Sequence, residues 1–174
     1  MTQELIELRN NIIAGRYTEA LALVDELEEM SKKAIIRNIE SFLVRLLIHL
    51  IKNQIELRLT NSWVASISDS ILQIKKLNLK DNKTSYYLQA DEWESYLNKA
   101  YAAAIRPASV EVKGGSLTPA KLKEMLNKQA IINMAKDLLL LTYNYEEEDL
   151  LDIIDTHLTE YPGGKDWLNG RISE

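Results

Sequence analysis

Residues 35–55 read IIRNIESFLVRLLIHLIKNQI, and the spacing of that run decides the fold. Apolar side chains occupy most of a helical circumference, which marks a helix surrounded by other helices. The same spacing extends towards the N-terminus through Ala20, Val24, Leu27 and Ile35, and continues through Ile39, Phe42, Leu46 and Leu50. The periodicity therefore predicts one long helix from about Thr18 to Ile55. Glu28→Lys32 and Glu29→Lys33 are favourable i,i+4 pairs that bridge the one plausible break, around Met30-Ser31, so the reading is one long helix, either continuous or kinked at Ser31.

Outward from this helix, the chain repeats the same grammar. Leu5, Leu8 and Ile12 give a first helix over 3–14, with Gly15 as its C-terminal cap. A helix capped by Asn61 or Ser62 buries Val64, Ile67, Ile71 and Ile74. After the loop LNLKDNKTS, another carries Trp93, Leu97, Ala100, Tyr101 and Ala104 as far as Arg106, where Pro107 is expected to end it. Pro107–Thr118 reads as a linker, with Val110–Val112 able to form a brief strand. Thr118-Pro119 is an N-cap followed by first-turn proline and opens a helix to about Tyr143. A last helix, Glu146–Tyr161, begins with four acids, as the positive end of a helix dipole prefers, and Pro162-Gly163-Gly164 stops it. Trp167-Leu168 is expected to tuck back against the bundle. The expectation is an all-α, up-and-down bundle of five or six helices around one long central helix. Residues 1–174 form a single domain in this reading: a core over 1–106, a linker over 107–118, and a C-terminal helical hairpin over 119–174.

Composition narrows the function. The chain has 174 residues, no cysteine and a net charge of −5, so disulfides, thiolate nucleophiles and thiolate metal sites are excluded. A cytoplasmic location fits the missing cysteine, and the opening MTQELIELRNN carries acids where a secretion signal needs a basic leader. The longest greasy stretch, Phe42–Ile51, is about half a membrane span and contains Arg45 and His49, so no membrane association is expected. The acidic balance disfavours nucleic acid.

Two polar features stand out. On the central helix, Ser41, Arg45, His49, Lys52 and Glu56 follow one another at spacings of 4, 4, 3 and 4 and so share one face. This track is either a basic crevice for an acidic partner, with His49 titrating near neutrality, or a thin solvent edge paired with Asp25, Glu26, Glu28 and Glu29. Charge is also segregated along the helix. Residues 18–30 carry five acids and no base, while 32–58 carry six bases against two acids. That order suits either an antiparallel neighbouring protomer or a polarised binding surface. The second feature is the last helix, where Glu146, Glu147, Glu148, Asp149, Asp152 and Asp155 oppose Leu150, Leu151, Ile154, Leu158 and Tyr161. It is a candidate docking helix for a basic groove or simply a solvated outer face, with His157 packed at its margin.

Catalytic motifs fail on inspection. The residues three before His49 and His157 are Leu46 and Ile154, not the glutamates of a di-iron bundle. HExxH, GxxxxGK[ST] and GxSxG are absent. Asp25, Glu28 and Glu29 could hold a hard divalent ion, but the same spacing belongs to any solvated helix start. No catalytic residue, metal site or cofactor is assigned.

Several of these segments resemble a known family. Gly15-Arg16-Tyr17, Asp25–Met30, Ile39-Glu40-Ser41, Leu46–Lys52 with its His49-Leu-x-Lys52, Ser62-Trp63 and Ala100-Tyr101 are similar to the mainly cyanobacterial, all-helical family known as domain of unknown function twenty-nine, over about 8–106. Ser31 stands where the family commonly has glycine, and the arginine-rich stretch near the second helix is thinner. The resemblance implies a helical bundle and no particular activity. Gly15-x-Tyr17-x-x-Ala20 also resembles a single tetratricopeptide unit, without the further copies that a stable array needs. The expected function is a non-catalytic helical protein-interaction module, self-associating or paired with another protein. The alternatives are a metal-assisted hydrolase using helix carboxylates and a nucleic-acid-associated helical protein.

Overall fold

The computed structural model describes residues 2–170. Among them are eight α-helices: α1 (Gln3–Ile13), α2 (Tyr17–Glu56), α3 (Asn61–Asn78), α4 (Trp93–Glu111), α5 (Pro119–Met125), α6 (Lys128–Asn144), α7 (Glu147–Leu158) and α8 (Gly164–Leu168). Short 3-10 turns precede and follow α4. No strand occurs among the described residues, only an isolated bridge between Leu79 and Tyr86. The protein is all-α, with α2 running unbroken through Ser31 for 40 residues. No described helix is long and apolar enough to cross a membrane.

The chain divides into two compact units, Met1–Asn38 and Ile39–Glu174, so the division falls inside α2. In the first unit, α1 ends in a full left-handed cap. Gly15 has φ +72°, Gly15 N donates to Ile12 O at 3.2 Å, and Arg16 N donates to Asn11 O at 2.8 Å. Arg16 Nε also donates to Asn11 Oδ1 at 2.9 Å. Ala20 is the one apolar residue of the described part of this unit that is buried, while Leu5, Ile6, Ile12, Ile13, Tyr17, Leu21, Val24 and Met30 are exposed.

The second unit holds the core. Ile39, Leu43, Leu46, Leu47, Leu50 and Ile51 of α2 are fully buried, as are Ile67, Ile71 and Ile74 of α3 and Trp93 and Leu97 of α4. α6 adds Ile131, Leu138 and Leu139, and α7 adds Leu150, Ile154 and Leu158. Each such side chain is worth roughly 1.5–3 kcal/mol of transfer free energy. α6 packs on both α3 and α4, α7 packs on α3 and α6, and α5 packs on α4.

Several boundaries differ from the expectation. α4 passes through Pro107 to Glu111, because Ala108, Ser109 and Val112 beyond it are buried. Packing there offsets the ~3 kcal/mol that an interior proline costs. The stretch expected as linker and possible strand is therefore α-helix as far as Glu111, followed by a short turn over Val112–Gly115 in which Lys113 and Gly114 are left-handed. The N-cap of α3 is Thr60, whose hydroxyl accepts from Trp63 N at 3.1 Å. Thr118 caps α5 as expected, but the helix stops at Met125, and Asn127 caps a new one by accepting from Ala130 N at 3.1 Å. In the last acidic helix, Leu151 is exposed, not part of the buried line.

A buried polar network pins the return from α3 to α4. Asn78 exchanges hydrogen bonds with both backbone groups of Leu88, at 2.7 and 2.9 Å. Tyr143 Oη donates to Leu88 O at 2.8 Å and accepts from Trp93 Nε1 at 2.7 Å. Burial pushes the Tyr143 hydroxyl up from its ordinary pKa, which keeps it protonated as a donor.

Candidate functional site

The polar track of α2 lies wholly in the second unit, and Arg45, Lys52 and Glu56 each have a partner on another element. Arg45 Nη1 meets Asp69 Oδ2 of α3 at 3.0 Å, and its Nη2 donates to Ser66 Oγ at 3.4 Å. His49 Nδ1 lies 2.9 Å from Arg45 O in its own helix. Burial is the main force that lowers the His49 pKa; the hydrogen bond to the Arg45 carbonyl and the Glu111 charge oppose it, and the charges of Lys52 and Arg45 add to it. The imidazole is accordingly neutral at neutral pH. Lys52 is nearly buried, pairs with Glu111 of α4 at 3.4 Å and places Nζ 4.7 Å from the centre of the Trp63 ring. Glu56 Oε1 accepts the backbone N–H of Lys113 at 3.1 Å, and its other oxygen pairs with Arg58 at 3.1 Å. The partners are Asp69, Glu111 and the turn after α4. The acids at 25–29, expected as an alternative source of pairing, are not among them.

Arg58 closes the same cluster, with its guanidinium 4.7 Å from the Trp63 ring centre. Lys52 and Arg58 thus both interact with one buried indole, which is favourable for cations held away from water. Two residues of this corner were not singled out by sequence reasoning. Asn53 is fully buried and its amide donates to Arg58 O at 3.0 Å and Pro162 O at 2.7 Å, while its Oδ1 is buried with no hydrogen-bond partner. Gly163 seats the C-terminal segment here. It has φ +72°, and a Cβ on it would stand 2.5 Å from Arg58 Cα. An Asn in an otherwise apolar helical run is the signal that could have exposed the first. The doubled glycine after Pro162 is the signal for the second, more than a helix stop. Trp167 Nε1 donates to Asn61 Oδ1 at 2.9 Å, so the tail does fold back as expected.

The acidic helix is arranged differently. Glu146, Glu147 and Glu148 face Lys75, Lys76 and Lys83 across an open cleft of about 540 Å³ that also includes Tyr86. Lys76 and Glu147 approach to 3.9 Å. Lys75 is buried and donates to Thr142 O at 2.6 Å, near the C-terminal end of α6, where cations are favoured. Asp149 and Asp152 are exposed, and partial burial, then Asp152, raises the Asp155 pKa. His157 is half-buried with Nδ1 3.0 Å from Ile153 O. Its surroundings are packing, in line with the sequence reading.

The residues brought together are those of a structural junction: a polar corner that ties α2 to α3 and α4. The chain belongs to the family described as Domain of unknown function DUF29, whose model matches residues 8–134. The match reaches beyond the 8–106 of the resemblance, taking in α5 and part of α6. No curated protein and no solved structure matches the chain. Two pieces that carry the resemblance, His49-Leu-Ile-Lys52 and Ser62-Trp63, meet at the Lys52–Trp63 contact.

Proposed function

We propose that this protein is a non-catalytic helical protein-interaction module whose docking element is the N-terminal unit. The observation that carries this reading is the exposure of large apolar residues on a unit that buries almost none of its own: Ile13 is 74% exposed, Leu21 65% and Ile12 51%. Leu5, Leu8, Ile12 and Ile13 lie together on α1, and clustered exposed apolar surface of this kind marks an interaction site. Helices draw most of their stability from packing of an apolar face, and α1 with the first half of α2 has almost none, so a partner supplies what the unit lacks. Leu5, Leu8, Arg9, Ile12 and Ile13 line a shallow groove on α1 that suits an apolar side chain.

The nucleic-acid alternative has weaker ground. Arg45, Lys52 and Arg58 are engaged by Asp69, Glu111 and Glu56, and a paired cation releases few counterions from a phosphate backbone.

The test compares full-length protein with an Ile12→Ser/Leu21→Ser variant as bait in native lysate. The expected result is a partner retained by the parent and lost by the variant, with unchanged circular dichroism. Identical retained proteins for both would overturn the reading.

A further inference from the structure

We infer that the surface covering the N-terminal face is a second copy of this chain, with the two α2 segments antiparallel; this rests on the interaction-module reading above. Tyr17, Leu21, Val24, Glu28, Lys32 and Ile35 follow one another along α2 at helical spacing and form one face. All are exposed except Ile35, which is half-exposed. The segment is polarised. Every charge from 18 to 30 is acidic, every charge from 31 to 38 is basic, and all of these side chains are exposed. The helical pairs Glu28–Lys32 and Glu29–Lys33, expected from sequence, are not closed among the described residues.

This order of charge selects its own occupant. An acidic partner would be repelled by the first half of the face, and a basic one by the second. A parallel copy in register would oppose Glu28 to Glu28. A copy reversed about a two-fold axis near residue 30 matches over the centre of the face, from Val24 to Ile35. Glu28 then faces Lys32 of the partner subunit, Val24 faces Ile35 of the partner subunit, and each contact occurs twice. That is the self-complementarity a two-fold interface requires, and charge flanking an apolar helical seam is what sets the orientation of paired helices.

Sedimentation of the full chain over a concentration series tests this. The parent is expected to dimerise in the micromolar range. Glu28→Lys alone and Lys32→Glu alone should each weaken dimerisation at least tenfold, since each places like charges opposite one another. The double variant Glu28→Lys/Lys32→Glu should restore it. Both positions are exposed, and circular dichroism should show all three variants folded. A parent that stays monomeric at about 100 μM, or a dimer indifferent to either single reversal, would overturn the inference. If the parent is monomeric and Ile12→Ser/Leu21→Ser still loses a lysate partner, only the second-copy inference falls. If that variant loses nothing, the interaction reading falls with it.

Discussion

The two halves of α2 are one helix with two fates. Residues 39–56 place six fully buried aliphatic side chains in the core, whereas residues 17–38 bury only Ala20. Both halves carry apolar residues at helical spacing, although residues 17–38 hold eight charged side chains and residues 39–56 four. Periodicity fixes that a stretch is helical and which face is apolar; it does not fix whether anything covers that face. What differs further is the supply of neighbours, since α3, α4, α6 and α7 all bring apolar stripes to the second unit.

The contrast can be broken most sharply by matched truncations. Leu47→Ala should destabilise the fold by about 2–5 kcal/mol, because a fully buried leucine leaves a cavity. Leu21→Ala, measured on dilute protein, should stay within about 0.5 kcal/mol. Denaturant titration of both variants checks the pair, and equal losses would mean that the first half of α2 is covered within the monomer.

A smaller effect is expected at the corner where the tail is seated. Gly163→Ala should cost about 1–3 kcal/mol by overpacking against Arg58, with a left-handed backbone adding to it. A Gly15→Ala change, also left-handed but with nothing near its Cβ, should cost less. Thermal melts of the two variants would separate crowding from backbone strain.

The polar track is expected to move stability least. The His49 pKa is lowered in the folded state, so folding releases its proton. The sign follows: stability is fully present above the ordinary value near 6.5 and declines as pH falls from there towards the lowered value. His49→Gln should flatten that slope, as read from denaturation midpoints at pH 7.5 and 5. Arg45→Ala should cost only about 0–1 kcal/mol, because both Arg45 and Asp69 are over two-fifths exposed. A loss as large as that of Leu47→Ala would make the arginine a core residue.

Legibility in the sequence followed the same line between local and tertiary information. The all-α class, one long helix over α2 and the buried Leu46, Leu47, Leu50 and Ile51 were readable because helical period and burial coincide there, while continuity through Ser31 was left open. Pro107 misled because its local preference yields to burial of Ala108 and Val112 downstream. The break at Leu126-Asn127 was missed, since its only cue is an asparagine acting as a cap inside an apolar pattern. For the track, spacing gave the shared face, but Asp69 and Glu111 are 24 and 59 residues away from Arg45 and Lys52, and no local rule names such partners. The exposed face of the first unit was not legible at all.

The amide of Asn53 donates to Pro162, 109 residues further along the chain. On a ribosome working at about 5–20 residues per second, that separation means a delay of roughly 5–20 s before the partner carbonyl exists. Throughout that interval the end of α2 has been made but its corner is open, and the apolar N-terminal segment leaves the ribosome ahead of the partner carbonyl. The order of synthesis therefore offers the N-terminal face to other molecules before the main bundle can close.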